Sequence, residues 1–486
     1  MPNETAHSPT ASSSVARHFA ALASGDAVAR IVAFLAGVFV ARELGAEMFG
    51  VMAFGQAIVL YVNHLAACGV DLTGIREVAA DTTNVRRLVP SLLAFRTLVA
   101  AGLFVVLCVG ALLVLPPLEA AVVALFATTL FGHGPNAKFV LIGLGRPGPV
   151  ALSRSIGEFL YAGLVFLFVR EKLDVVWVPW AQAMGDVVWA LLMLVWLRRL
   201  GHTLPLELDW SRIKPLLARS FPLVLNILLG LLIFNCDLLV LKYLHGNESV
   251  GLYAASYQLI SFLINMAWAY SHSLLPALTQ ASAATGARQA LYHTSLAQSF
   301  AVGAPLAAGG ALLSGALIAL VFGEQYAASA APLAILVASV PFMLYKDVAM
   351  VALIVAGREN VVLRMTAIAV LFNLVGNLIV VPHYGMVGAA STTLATEVLR
   401  ALLAAAYARE SGFTLLPARR MWKSALATAL MAGVLLAYSQ AIPSASHSAL
   451  AAVAAPLAVG VVCYALALAA SGGIEWRRGR APALRV

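Results

Sequence analysis

Apolar runs of about twenty residues, each cut short by glycine, proline or charge, follow one another along almost the whole chain. They centre near Val32, Val59, Val105, Phe126, Leu164, Leu191, Leu229, Phe262, Leu312, Val337, Leu371, Ala395, Leu430 and Val459. This predicts an all-α polytopic membrane protein with about fourteen transmembrane helices. The runs are too long and too continuous for the roughly ten-residue alternating strands of an outer-membrane barrel, and a backbone in lipid must satisfy its own hydrogen bonds. The fourth run is interrupted by Gly132-His133-Gly134-Pro135-Asn136-Ala137-Lys138 and the tenth carries Lys346 and Asp347. A helix break buried in protein would be tolerated at such an interruption.

Two connections repeat. Gly45-Ala46-Glu47-Met48-Phe49-Gly50-Val51-Met52-Ala53 and Gly246-Asn247-Glu248-Ser249-Val250-Gly251-Leu252-Tyr253-Ala254 both read G-x-E-x-x-G-x-x-A. Each joins two apolar runs, as the tight turn of a helical hairpin would. Leu141-Ile142-Gly143-Leu144-Gly145-Arg146 and Leu353-Ile354-Val355-Ala356-Gly357-Arg358 share L-I-x-x-G-R. The spacing predicts two six-helix lobes in parallel pseudo-repeat, with two helices appended at the C-terminal side. The corresponding segments are a polar tail at 1–14, an N-lobe at 15–200, a linker at 201–214, a C-lobe at 215–410, appended spans at 411–472 and a basic tail at 473–486. The linker from Leu204 to Ile213, with Trp210, is expected along the membrane surface.

Composition agrees with the pattern. The 486 residues are 62% hydrophobic and 11% charged, where a soluble domain carries about a quarter charged residues. The formal charge of +9 is spread over short loops and the tail, so its meaning is topological and nucleic acid is not an expected partner. If the N-terminus is cytoplasmic, one set of loops holds Arg76, Arg86, Arg87, Arg146, Arg198, Arg199, Arg212, Lys214, Arg288 and Arg358 and the other little beyond Arg42, Arg170, Lys172 and Lys242. The positive-inside rule then puts both termini in the cytoplasm of a bacterial inner-membrane protein. The opening residues have no basic region ahead of a short apolar core, so no signal peptide is expected. Cys68, Cys108, Cys236 and Cys463 have unrelated spacings and read as small core residues, with no metal or cofactor implied. Trp177, Trp180, Trp196, Trp422 and Trp476 fall near span ends, as an interfacial belt would.

Charges inside the spans are the candidate chemistry, because an ionisable group in hydrocarbon costs roughly 2.5 to 3.5 kcal/mol and needs a partner or water. Asp26 and Arg30 are four apart, as are Arg154 and Glu158; Arg96, Asp186, Asp237, Lys346, Asp347, Arg364, Glu397 and Arg400 complete the set. Arg30, Arg154 and Lys346 are candidate substrate-binding residues for an anionic head group such as a pyrophosphate, since cations donate to phosphate oxygens. The alternative is structural: i,i+4 pairs bridge within a helix, and Arg96, Arg364 and Arg400 are expected to snorkel to the interface. Lys346 and Asp347, being neighbours, are expected to point apart. Asp237, Asp186 and Glu158 are candidates for coupling a proton or sodium ion, because a carboxylate in a low-dielectric site is readily switched by a cation; satisfied buried acids are the structural reading.

Aromatic and amide residues crowd the second and eighth runs. Tyr61, Tyr257 and Asn265 lead a candidate saccharide-facing set that includes Gln56, Asn63, Tyr253 and Trp268; ordinary packing explains such residues as well. No Walker A loop, HExxH or GxSxG occurs, so an enzyme is not expected.

The stretches Ala41-Arg42-Glu43-Leu44-Gly45-Ala46-Glu47-Met48-Phe49-Gly50 and Gly69-Val70-Asp71-Leu72-Thr73-Gly74-Ile75-Arg76-Glu77-Val78-Ala79 resemble the start of the polysaccharide-transporter flippases. This is the Wzx-like branch of the multidrug/oligosaccharidyl-lipid/polysaccharide exporter superfamily. Asp237 through Tyr253 is similar to that family's connection between the seventh and eighth spans. The resemblance implies a two-lobed bundle that opens alternately to each side. It would move a polyprenyl-pyrophosphate-linked oligosaccharide to the periplasmic leaflet, its head group crossing a central cavity lined by Arg30, Arg154 and Lys346. Lipid II flippases and cation-coupled drug exporters of the same superfamily are the alternatives.

Overall fold

A computed structural model describes residues 9–202, 207–282, 286–441, 449–472, 474–475 and 483–484. The side chains of 9–27 and of several later positions lie outside the described residues, so Asp26, Phe262, Asn265, Trp268 and Trp476 are not placed. The apolar runs form helices. They are α1 (Pro9–Ala66), α2 (Val70–Ala80), α3 (Asn84–Arg87), α4 (Val89–Val114), α5 (Pro117–Ala127), α6 (Leu130–His133), α7 (Lys138–Gly143), α8 (Pro147–Phe168) and α9 (Trp177–Arg199). There follow α10 (Trp210–Gln280), α11 (Ala287–Leu312), α12 (Ser314–Val321), α13 (Ala330–Ala338), α14 (Val340–Val355), α15 (Glu359–Glu410), α16 (Trp422–Ala441) and α17 (Ala449–Ala470). Beyond them Ile474 and Glu475 pair antiparallel with Leu484 and Ala483. Among the described residues nine helices are long and apolar enough to cross a membrane, or ten if α11 and α12, bent by 74°, form one span.

Three helices are too long to be straight. At 1.5 Å per residue the 71 residues of α10 would reach more than three times the roughly 30 Å of hydrocarbon. Each breaks at one glycine: α1 at Gly45 (φ 74°, ψ 171°), α10 at Gly246 (φ 79°, ψ −177°) and α15 at Gly385 (φ 52°, ψ −131°). Positive φ is strained for any residue with a Cβ. The first two are the leading glycines of the repeated motif and share one backbone conformation. Gly385 belongs to neither copy. Side chains show that the legs of α10 and α15 fold back. Tyr253 Oη donates to Asp237 Oδ2 at 2.7 Å, residues that a continuous helix would hold ~24 Å apart. A Cβ on Gly376 would stand 2.6 Å from Thr392 Cγ2 on the other leg of α15.

The second repeat has an equally local cause. Arg146 N–H donates to Leu141 O and Gly145 N–H to Ile142 O; Arg358 N–H donates to Leu353 O and Gly357 N–H to Ile354 O. Both are Schellman caps, closed by a glycine at positive φ. Gly201 and Gly412 end α9 and α15 in the same way, with His202 N–H on Leu197 O and Phe413 N–H on Ala408 O.

The chain divides into two compact units, Met1–Leu228 and Leu229–Val486. The opening of α10 packs with the first. Ser220 Oγ lies 2.6 Å from Thr73 Oγ1, and Arg212 donates to Arg87 O at 3.1 Å. Trp210 is the first residue of α10 and lies against Phe95, ring centroids 5.5 Å apart. Leu92, Phe139, Leu141, Met193 and Leu197 anchor the core of this unit; Tyr292, Leu296, Val348 and Phe413 anchor one in the second. Outward rows such as Val106, Val109 and Leu113 on α4 and Leu371, Leu378 and Ile379 on α15 stay exposed, as a lipid-facing surface requires.

One expectation is corrected here, and one tolerated break has a definite position. The ninth run centres on Leu312, but α11 ends there and α12 leaves at an angle. An apolar run records only where lipid is tolerated, and Leu312-Leu313 continues the run straight through the bend. In the tenth run the chain breaks at Ser339, between α13 and α14, and not at the charged pair.

Candidate functional site

The first unit encloses a polar cavity of about 250 Å³, bounded by residues of α1, α2, α4, α5 to α9 and the turn after α6. Helix contacts without side chains create it. A Cβ on Gly157 would stand 2.7 Å from Gly185 O, so α8 and α9 cross almost backbone to backbone; Gly132 lies as close to the backbone of Asp186. Small residues allow such approach in membranes. The crossing brings Arg154 of α8 against Asp186 of α9. Arg154 pairs with Glu158 within its helix and with Asp186 at 3.8 Å, and its guanidinium covers the Trp189 ring at 4.7 Å. His133 Nε2 is 3.5 Å from Asp186 Oδ2.

A break in the fourth run, between α6 and α7, forms one wall of this cavity. Where α6 ends and α7 has not begun, carbonyls point away from any helix, and Arg96 collects them. Its guanidinium donates to His133 O at 2.9 Å and to Asn136 O at 3.4 Å. It also reaches Asp71 at 3.3 Å, and Lys138 holds the other oxygen of Asp71 at 2.8 Å. Asp71, on α2, lies outside the candidate spans. Burial opposes its charge, but Lys138 and Arg96 beside it hold the carboxyl below the usual carboxylate range. Gln56, Asn63, His64 and Gln182 add neutral polar groups to the lining.

The second unit holds two buried clusters. Asp237, fully buried on α10, accepts hydrogen bonds from Tyr253, Thr393 at 2.8 Å and Asn377. Asn373 links Asn377 at 3.1 Å to Thr396 at 3.2 Å and accepts from Cys236 at 2.9 Å. Hairpin folding of α10 and α15 supplies all of these groups. In the other cluster Lys346 Nζ lies 3.3 Å from Glu397 and 3.2 Å from Asp347, and Arg400 donates to Glu397 at 2.6 Å.

The structure therefore gathers Arg154 and Asp186 into one cavity, pairs Glu158 with Arg154 along α8, and places Asp237 and Lys346 in separate clusters of the second unit. Arg30 is exposed on α1. Tyr61 is half-buried on α1, and Tyr257 lies 6.2 Å from Tyr253. Asn265 lies outside the described residues. Arg96 and Arg400 do not snorkel: they are 2% and 8% exposed, because an internal carboxylate and, for Arg96, loose carbonyls offer more than the interface. Lys346 and Asp347 meet despite their sequence adjacency, since the lysine stem spans the angle between them. Residues that sequence reasoning missed are Asp71, Lys138, His133, Asn373, Asn377 and Thr393. The i,i+4 amide pair in an apolar run, Asn373 and Asn377, was the available signal.

Comparison with known proteins follows this geometry. The profile of the family described as "Polysaccharide biosynthesis protein" matches residues 15–282. A curated protein of Escherichia coli (strain K12), "Putative O-antigen transporter", is 22% identical over 222 residues, covering 45% of this chain and 54% of the relative. The chain thus spans about half the length of that relative. The structure of a lipid II flippase, MurJ, in an inward closed conformation superposes with a TM-score of 0.78 at 12% identity, covering 93% of this chain and 98% of the other. An inward-facing multidrug resistance MATE transporter of the MOP superfamily gives 0.61 at 15% identity, covering 78% and 94%. These likenesses establish the fold.

Proposed function

The chain belongs to the polysaccharide biosynthesis protein family, and from that premise we propose that it is a flippase for polyprenyl-pyrophosphate-linked oligosaccharide. It moves the head group from the cytoplasmic to the periplasmic leaflet by alternating access. The observation that carries this reading is the mixed-charge cavity inside a helical unit whose outer faces are apolar, since ionisable groups at membrane depth mark a pathway for polar cargo. Arg154, whose side chain is 36% exposed, and the exposed Arg30 are the head-group contacts. Lys346 is a further proposed contact, in a state in which Glu397 and Asp347 release it. Val434, Val459, Val462 and Leu466 line an apolar groove on α16 and α17 that suits an isoprenoid tail.

Counting each leg of α1, α10 and α15 as a span, and α5 to α7, α11 with α12, and α13 with α14 as one span each, we assign about fourteen spans with both termini cytoplasmic. Asp237 is the proposed coupling carboxylate. Its hydrogen-bond donors are all neutral, so a proton or a sodium ion supplies the charge that the cage lacks.

Vesicles reconstituted with the protein and a fluorescent polyprenyl-pyrophosphate sugar test the reading. Leaflet exchange is expected to rise on adding protein, and exchange unchanged under every ion gradient would falsify it. Asp237→Asn is expected to abolish the response to the gradient, read as exchange with and without it. The neutral cage also favours a second reading, a cation-coupled exporter of small molecules. That reading prevails if Asp237 is essential while Arg30→Gln and Arg154→Gln transport normally.

A further inference from the structure

Among the described residues, five buried polar atoms around the cavity of the first unit make no hydrogen bond: Asn63 Oδ1, Asp186 Oδ2, whose ionic neighbour His133 Nε2 stands 3.5 Å away, Trp189 Nε1, Asn136 Nδ2 and Arg96 Nε. Asp186, Trp189, Asn136 and Arg96 are each more than nine-tenths buried. Native proteins rarely leave such atoms unmet, because each costs about 1 to 3 kcal/mol. The set is mixed, two acceptors and three donors, and that mixture specifies its ligand.

A phosphate or pyrophosphate only accepts at its charged oxygens. It would leave Asn63 Oδ1 and Asp186 Oδ2 unmet and face the Asp186 charge. The cations here are already committed, Arg96 and Lys138 to Asp71 and Arg154 to Glu158 and Asp186. A hydroxyl both donates and accepts, so a polyhydroxylated ring answers both kinds of atom at once. Val59, Leu60, Ala67 and Phe126 complete the lining and suit the C–H face of such a ring. The volume, about 250 Å³, falls below the ~300–1,000 Å³ of pockets for drug-sized ligands. It admits one ring and not a repeat unit.

We propose that this cavity is a subsite for a single sugar ring of the transported head group. Asp186 and Asn63 accept from its hydroxyls, and Trp189 and Asn136 donate to its oxygens. Arg154 covers one face of the indole at 4.7 Å and Lys138 Nζ stands 6.0 Å from the same ring, so the N–H edge of Trp189 is the part offered to the ligand. This rests on the flippase reading for its physiological ligand and refines it: Arg154 serves the sugar part of the head group by positioning Trp189, and the diphosphate is bound outside this cavity.

The full chain in nanodiscs of phosphatidylethanolamine and phosphatidylglycerol provides the test. Saturation-transfer NMR is recorded with free glucose, galactose, mannose, rhamnose and N-acetylglucosamine, and with inorganic pyrophosphate as competitor. At least one sugar is expected to show transfer that falls at least ~10-fold in affinity, about 1.4 kcal/mol, in Trp189→Phe, which deletes the N–H and keeps a ring. Asn63→Leu, on a different helix, is expected to do the same and serves should Trp189→Phe not fold. Pyrophosphate is expected not to compete. Signals that are absent or indifferent to both variants mean a hydrated cavity only and overturn the subsite, as does displacement by pyrophosphate. Failure of wild-type vesicles to translocate lipid-linked sugar overturns the flippase reading instead, and residue-dependent sugar binding then still establishes the subsite.

Discussion

Asp186 and Glu397 stand at the same place ahead of a Schellman glycine, Gly201 and Gly412, yet they meet different surroundings. Asp186 borders an open cavity and shares a half-exposed guanidinium and an imidazole. Glu397 is fully buried and clamped by Lys346 and Arg400, two cations that are themselves nearly inaccessible. The same carboxylate position ahead of a cap thus borders a cavity in one unit and sits in a sealed ion cluster in the other. Glycines make the difference. Gly132, Gly157 and Gly185 bring backbones together around Asp186 and leave side-chain space beside it. At Glu397 that space is filled by the lysine and arginine stems.

The strongest way to break this comparison is to remove the two acids. Glu397→Ala leaves two buried cations without their shared partner and is expected to cost about 3 to 5 kcal/mol. Asp186→Ala is expected to cost less than half as much, because solvent reaches Arg154 and screens it. Thermal unfolding of both variants in one detergent measures the difference, and equal losses would show that the two sites are not distinct. Gly185→Ala sharpens the account of the cavity. Its Cβ would meet Gly157 O at 2.6 Å, so the helices must part at a cost of about 1 to 3 kcal/mol. Cross-linking yield between cysteines placed on α8 and α9 is expected to fall with it. The smallest effect tests the duplication itself. Gly145→Ala and Gly357→Ala meet no neighbour, so each pays only for positive φ, about 1 kcal/mol. Melting points lowered by unequal amounts would argue against equivalent caps.

Helix-forming apolar runs and both repeated motifs were legible from the sequence, because lipid and backbone geometry impose their demands locally, whereas Asp71 and Lys138, which meet at the cavity, were not singled out. L-I-x-x-G-R announces a cap whose hydrogen bonds lie within six residues. Partner choice was not legible. Arg96 finds carbonyls freed by a break thirty-seven and forty residues away, and the cage of Asp237 forms only after α10 and α15 have doubled back. Gly385 escaped because its turn lacks the motif, although it carries the same mechanical duty.

That duty has a consequence for how the bundle moves. Going along the chain, connections closed by Schellman caps carry several fixed hydrogen bonds, whereas those at Gly45, Gly246 and Gly385 hang on one residue each. The capped joints behave as welds and the single glycines as pins. Legs of a hairpin can therefore scissor about a pin by turning two soft torsions, with every helix kept whole. A hairpin is then compliant at a pinned connection and stiff at a welded one.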